Sequence, residues 1–120
     1  MQHDVRLLPN GHLLLYDNGY AHSPSESRAV EYALDVGSMT ATMVWQYRHS
    51  PAIFTPVVGS VQRYADGATL VGFGGGGMRV VEVAPDGTVL WEGEPVFNGQ
   101  PIAIFYRVRK TLSLYGLQRP

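Results

Sequence analysis

Val5-Arg6-Leu7-Leu8-Pro9-Asn10-Gly11-His12-Leu13-Leu14-Leu15 returns later in the chain as Val61-Gln62-Arg63-Tyr64-Ala65-Asp66-Gly67-Ala68-Thr69-Leu70-Val71. Two more landmarks recur in the same order. Val30-Glu31-Tyr32-Ala33-Leu34-Asp35 returns as Val81-Glu82-Val83-Ala84-Pro85-Asp86, and Met43-Val44-Trp45 as Val89-Leu90-Trp91. The period is roughly 50 residues, and periods of about 40–50 mark propeller blades. The fold class that follows is all-β: a β-propeller fragment of about two and a half four-stranded antiparallel blades. The expected division is a blade over 1–48, a blade over 60–92 and a partial blade over 102–115. A single blade cannot bury both faces of its sheet, so the chain is expected to need partners or further blades.

The segments around the repeat agree with strands. Runs rich in Val, Leu, Tyr and Thr alternate with Gly, Pro, Asn and Asp, and none keeps a helical period. Strands are expected near 4–8, 12–17, 28–34 and 42–48, then 60–64, 69–74, 78–84 and 88–92, with two more near 102–108 and 111–115. Asn10-Gly11, Asp66-Gly67 and Asp86-Gly87 are hairpin dipeptides, because these residues tolerate the positive φ of two-residue turns. Trp45 and Trp91 each fall on a fourth strand. Both are expected to bury apolar area between blades rather than to serve as ligand platforms.

Parity separates two ends. The short turns at 9–11, 65–67 and 85–87, together with the 35–41 connection, lie at one end. The mostly longer connections at 18–27, 49–59, 73–77 and 93–101 lie at the other, and function concentrates in loops held on a rigid scaffold. His3, His22 and His49 fall at the long-loop end and His12 at the short-turn end.

Composition narrows the function classes. Charged residues make up 16% of the chain, against about 25% in average proteins. The net charge is −1 and Lys110 is the only lysine, which argues against a nucleic-acid partner. There is no cysteine, so disulfide and thiolate chemistry are excluded. No apolar stretch approaches the roughly 20 residues that span a bilayer, and no signal peptide is visible, which leaves the compartment open.

Gly72-Phe73-Gly74-Gly75-Gly76-Gly77 satisfies a dinucleotide-binding expression, but a strand follows it where a helix is needed. No cofactor is expected there. The run reads instead as a close-approach loop with room for a ligand at a propeller mouth. The scattered histidines have no ligand spacing, so no metal is expected. His3 precedes an innermost strand and is expected to point near the channel axis, as an acid, base or anion ligand or as a hydrogen-bonded structural residue. Arg28, after the 18–27 loop, either binds an anion or pairs with Glu26 or Glu31.

Gln2-His3-Asp4, Leu8-Pro9-Asn10-Gly11, Tyr16-Asp17-Asn18-Gly19 and Ser27-Arg28-Ala29-Val30-Glu31-Tyr32 together resemble the arylsulfotransferase (ASST) family. Val44-Trp45-Gln46-Tyr47, Phe54-Thr55-Pro56, Gly59-Ser60-Val61, Gly72-Phe73-Gly74 and Tyr106-Arg107-Val108 extend the likeness in order. The resemblance implies the C-terminal portion of a six-bladed propeller. It also implies sulfuryl transfer from a phenolic sulfate ester to a phenol through a sulfurylated histidine, with no cofactor. His3 matches the histidine of the family's Gln-His motif, and Arg28 the arginine of its Ser-Arg-x-Val-Glu-Tyr motif. Two positions depart from the pattern. Tyr20-Ala21-His22 stands where the family carries an arginine, and Gly75-Gly76-Gly77-Met78-Arg79 has no histidine where a nucleophile is expected. Met1 lies directly against the Gln-His-Asp motif, as expected for an excised fragment, an engineered piece or a gene remnant of a longer propeller.

The candidate catalytic residues are therefore His3, His22 and Arg28, in an arylsulfotransferase-like fragment whose catalysis is expected to be impaired on its own. The alternatives are a non-catalytic propeller module that closes into a ring of copies and a small-ligand-binding propeller. Expected partners are further copies, a trimer supplying about six blades, or the remaining blades of the propeller. The expected ligand is an aryl sulfate or a phenol.

Overall fold

The structure, a computed structural model, describes residues 1–111. It is all-β, and among the described residues there is no helix. The first sheet holds β1 (Gln2–Leu7), β2 (Leu13–Asp17), β3 (Arg28–Asp35) and β4 (Thr40–Arg48), paired in that order. The second holds β5 (Ser60–Arg63), β6 (Thr69–Phe73), β7 (Arg79–Val83) and β8 (Val89–Gly93), also in chain order. All neighbours are antiparallel. These are two propeller blades side by side, with the ring not closed.

The short turns repeat one device. His12, Ala68 and Thr88 each donate a backbone N–H to the side-chain oxygen two residues back, on Asn10, Asp66 and Asp86. Gly11, Gly67 and Gly87 carry the positive φ of 82–88° that follows. The loops are not the expected two-residue turns. Leu8, Tyr64 and Ala84 bond the carbonyls of His12, Ala68 and Thr88, which encloses three residues.

Strand alternation sends Leu14, Tyr16, Ala29 and Tyr47 of the first blade against Val61, Val71, Phe73, Val81 and Val83 of the second. Tyr16 meets Phe73 edge-on at 5.7 Å. Burial raises the Tyr16 phenol to about 12, and its hydroxyl bonds Thr55 Oγ1 at 2.6 Å.

The blades are also tied along their inner strands. A bulge between His3 and Arg6, with Asp4 at φ 53°, turns the Asp4 carboxylate toward β5. There Asp4 Oδ2 accepts the Val61 N–H at 2.9 Å. Ser60 Oγ accepts the Val108 N–H at 3.0 Å in the same way. Residues 105–110 thus run along the inner strand β5 of the second sheet. Phe105 N–H bonds the Gly74 carbonyl, and Gln62 exchanges two hydrogen bonds with the Lys110 backbone.

The expected strand over 102–108 is not formed, apart from a single bridge between Ile104 and Gly75. It has no second strand of its own to pair with among the described residues. Of the expected 111–115 strand, residues 112–115 lie outside the described residues. A hairpin not foreseen in the 93–101 connection pairs β9 (Val96–Phe97) with β10 (Gln100–Pro101). Its turn is Asn98-Gly99, both at positive φ.

The two tryptophans differ. Trp45 is partly buried between the blades, donating to the Pro85 carbonyl at 2.9 Å and lying 4.5 Å from the Arg63 guanidinium. Trp91 occupies the equivalent place on blade 2 but is 54% exposed, because no blade covers that face among the described residues. The expected burial of Trp91 is thereby corrected.

Candidate functional site

The site grows from the end of β2. Asn18, fully buried, donates its amide N–H groups to the carbonyls of Thr55 at 2.8 Å and Val58 at 2.9 Å. Carbonyl oxygens only accept, so the orientation of the amide is fixed and Oδ1 must face away from them. It faces His3, whose Nδ1 lies 2.6 Å away. Since Oδ1 can only accept, Nδ1 carries the proton, and in the neutral ring Nε2 holds a lone pair. Nε2 has no hydrogen-bond partner among the described residues. Ser27 locks the loops beneath. Its hydroxyl donates to the Asn18 carbonyl at 3.0 Å and accepts the Thr55 N–H at 2.9 Å.

Asp17 points to the opposite side of the strand from Asn18. It gathers His22 and Arg28: His22 Nε2 lies 3.2 Å and Arg28 Nε 3.1 Å from Asp17 Oδ2. His22 Nδ1 faces the Glu26 carbonyl at 2.9 Å, so both its ring nitrogens are engaged. Arg28 also donates to Gln46 at 2.9 Å. The expected pairing of Arg28 with Glu26 or Glu31 is corrected. Asp17 takes Arg28 because the two stand directly opposite in register, while Glu26 pairs with Arg48 and Glu31 with Arg63. His22 and Arg28 come together, and His3 stands apart on the other side, joined to them only through the Asp17-Asn18 dipeptide.

His49 is buried at the same end. Its Nδ1 faces the Pro51 carbonyl at 2.7 Å and its Nε2 faces Glu92 at 3.1 Å. With Phe54, Gly76, Gly77 and Arg79 it borders a groove of about 490 Å³. His12 lies at the far end, on Glu31 at 2.7 Å.

The glycine run does not leave room for a ligand along its length. A Cβ on Gly74 would strike the Phe105 carbonyl, one on Gly75 the Val57 carbonyl and one on Gly77 the Ile53 side chain. The close approach is made by the chain's own backbone, and Gly76 alone is open.

Sequence reasoning missed Asn18 and Asp4. Asp4 is almost fully shielded, yet three guanidiniums surround it: Arg109 at 2.6 Å, Arg6 at 2.7 Å and Arg107 at 3.4 Å. Burial alone would raise its carboxyl. The hydrogen bonds from Arg109 and the Val61 N–H, and the charges of Arg109 and Arg6, outweigh that and hold it below the ordinary carboxylate value. An Asp in an Asp-Asn or His-Asp pair is a signal in itself, but the partners come from residues about 40 to 105 positions away in sequence, as the hydrogen bonds show.

Residues 1–104 match the family model described as Arylsulfotransferase (ASST). The chain belongs to the arylsulfotransferase family. The resemblance carried by the motifs from Gln2-His3-Asp4 to Gly72-Phe73-Gly74 is thereby shown. No curated protein matches the chain. Among the described residues no helix is long and apolar enough to cross a membrane.

Proposed function

We propose that this chain forms the His3 wall of an arylsulfotransferase-type channel and is catalytically impaired on its own. The observation that carries the reading is the Asn18 amide, which presents His3 with Nδ1 protonated and Nε2 free. Such an imidazole takes a proton from an incoming phenol at Nε2, and Asn18 then holds the resulting imidazolium by its Nδ1–H. The acceptor phenolate oxygen then attacks the sulfur of the donor ester, and as the new S–O bond forms the donor's own S–O bond breaks and its phenolate leaves with the electron pair. A covalent route needs a separate nucleophile flanked by donors for the sulfuryl oxygens. Gly75-Gly76-Gly77-Met78 offers no such side chain. His22 and Arg28 support the wall from behind, through Asp17. The test is release of a coloured phenol from its sulfate ester, with a phenol acceptor present. The chain alone is expected to give no turnover above buffer. Turnover that disappears in His3→Ala would show an intact enzyme and contradict the impairment.

A second reading concerns assembly. Glu31 pairs with Arg63 of the next inner strand at 2.7 Å, under Trp45. Glu82 pairs with Lys110 at 2.9 Å in the same way, and Trp91 stands ready beside them on an apolar face with Leu70, Val80 and Leu90. The repeated arrangement supports a further blade on this face, which copies of the chain would supply in a homo-oligomeric ring. Light scattering at micromolar concentration is expected to give a multiple of the 13.2 kDa chain. A compact monomer would overturn this reading.

A further inference from the structure

A shallow groove of about 320 Å³ runs between the inner strands β1 and β5 toward the short-turn end. Its charged lining is Arg6, Arg63 and Arg109, with no carboxylate among the lining residues. Arg107 joins them at the same buried Asp4. Among the described residues, the carboxylates in contact with these four guanidiniums are Asp4 and Glu31, and Glu31 is shared with His12. A carboxylate neutralises one charge, so this stretch of wall carries an excess of positive charge in a chain whose net charge is −1.

The donors are not exhausted either. Arg109 spends its terminal nitrogens on Asp4 and on the carbonyls of Val61 and Val108. Among the described residues, the ion pair of Arg6 is made by one terminal nitrogen, to Asp4, and its side chain is 42% exposed. A guanidinium has five N–H donors in a planar fork suited to oxyanions. The Asp4 carboxylate, 3% exposed, lies beneath the arginines and so holds them in place without meeting the solvent side of the groove.

We propose that this groove binds a tetrahedral oxyanion, as inorganic sulfate or as the sulfate group of an ester. Arg6 donates directly, and Arg107 and Arg109 supply the field. The site is separate from the Nε2 chemistry of His3 and stands whether or not the chain transfers sulfuryl groups. Two neighbouring guanidiniums braced by one buried carboxylate repel each other, and a dianion between their outer edges relieves that repulsion while its oxygens meet free N–H groups.

The experiment is calorimetric titration of the full chain with sodium sulfate, using sodium chloride at matched ionic strength as the reference. Phenyl sulfate is then added as a competitor. Saturable sulfate binding is expected, weakened about tenfold in Arg6→Gln, the loss of one charge-assisted contact. Arg107→Gln is expected to weaken it less, and Arg79→Gln, on Glu92 and Glu94 at the other rim, to leave it unchanged. Phenyl sulfate should displace sulfate if the oxyanion is the recognised group. Circular dichroism of each variant checks that it folds, and Arg6→Lys, which keeps the charge but loses the fork, should fall between wild type and Arg6→Gln. Heat no different from chloride, or equal weakening in all three glutamine variants, would overturn the proposal. The first outcome means that the groove holds no oxyanion, and the second that salt acts on the whole surface.

Discussion

The Val61 backbone N–H donates to Asp4 Oδ2 at 2.9 Å, across 57 residues of sequence. The same joint recurs one blade on, where the Val108 N–H meets Ser60 Oγ. Asp4 and Ser60 hold equivalent places on their inner strands, so one short polar side chain per blade sets the register of the next. Because the Asp4 joint also anchors three arginines, it is the costlier to break. Asp4→Asn is expected to destabilise the chain by about 3 kcal/mol, since it leaves the guanidiniums without their counter-charge. Urea midpoints of the two proteins check this. Ser60→Ala should cost only about 1 kcal/mol.

Asp4 also predicts an acid limit. Its folded-state pKa is depressed, so its contribution is present above the unfolded carboxylate value and is lost as pH falls through the folded one. Stability should therefore drop below about pH 4, and Asp4→Asn should drop less over the same interval. Melting temperatures from pH 6 down to about pH 2 test the difference; parallel curves would contradict the role of Asp4.

An alkaline limit has the opposite sign. Burial raises the Tyr16 phenol to about 12, so its neutral form is the one the fold holds. The stabilisation is complete below the unfolded value of about 10 and is lost as pH rises from there to about 12. Tyr64 is raised to about 12 as well, first by burial and then by Glu82 and Asp66. Tyr16→Phe should remove part of the loss, while the loss due to Tyr64 remains.

The tryptophans should separate in stability. Trp45→Ala removes a ring stacked on Arg63 and hydrogen-bonded to Pro85, at an expected cost of about 2–3 kcal/mol. Trp91→Ala on an uncovered face should cost less than about 1 kcal/mol in the monomer. If copies assemble through that face, Trp91→Ala should instead shift the mass distribution toward single chains.

The legibility of this chain follows the range of the interactions. The eight strands of the two four-stranded sheets were readable to within a residue or two because alternation and the Asn-Gly or Asp-Gly turns are local, whereas the expected 102–108 strand did not form and the β9–β10 hairpin was missed. The enclosed three-residue loops were not, because closure depends on the hydrogen bond from Leu8 to His12 rather than on the dipeptide. The bulges beside Trp45 and Trp91, which leave Val44 and Leu90 without partners in register, have no local mark either. His3 was visible by its place at the head of an inner strand, although that strand begins at Gln2 and includes it. What orients it was not, since Asn18 acquires its meaning only when the Thr55 and Val58 carbonyls fold over it. The glycine run was read correctly as close approach and wrongly as room for a ligand, because the approaching segments are the 53–58 connection and Phe105. Gly74→Ala and Gly75→Ala should accordingly destabilise more than Gly76→Ala, whose cost is limited to its positive φ of 90°.

The tautomer of His3 tests the account most directly. In a ¹⁵N-labelled chain above about pH 8, where an ordinary imidazole is neutral, long-range proton–nitrogen correlation distinguishes the two ring nitrogens. The account predicts a protonated Nδ1 and an unprotonated Nε2 for His3, and loss of that preference in Asn18→Ala. A protonated Nε2 in the unaltered chain would contradict it, because the nitrogen assigned to take the phenol proton would already carry one.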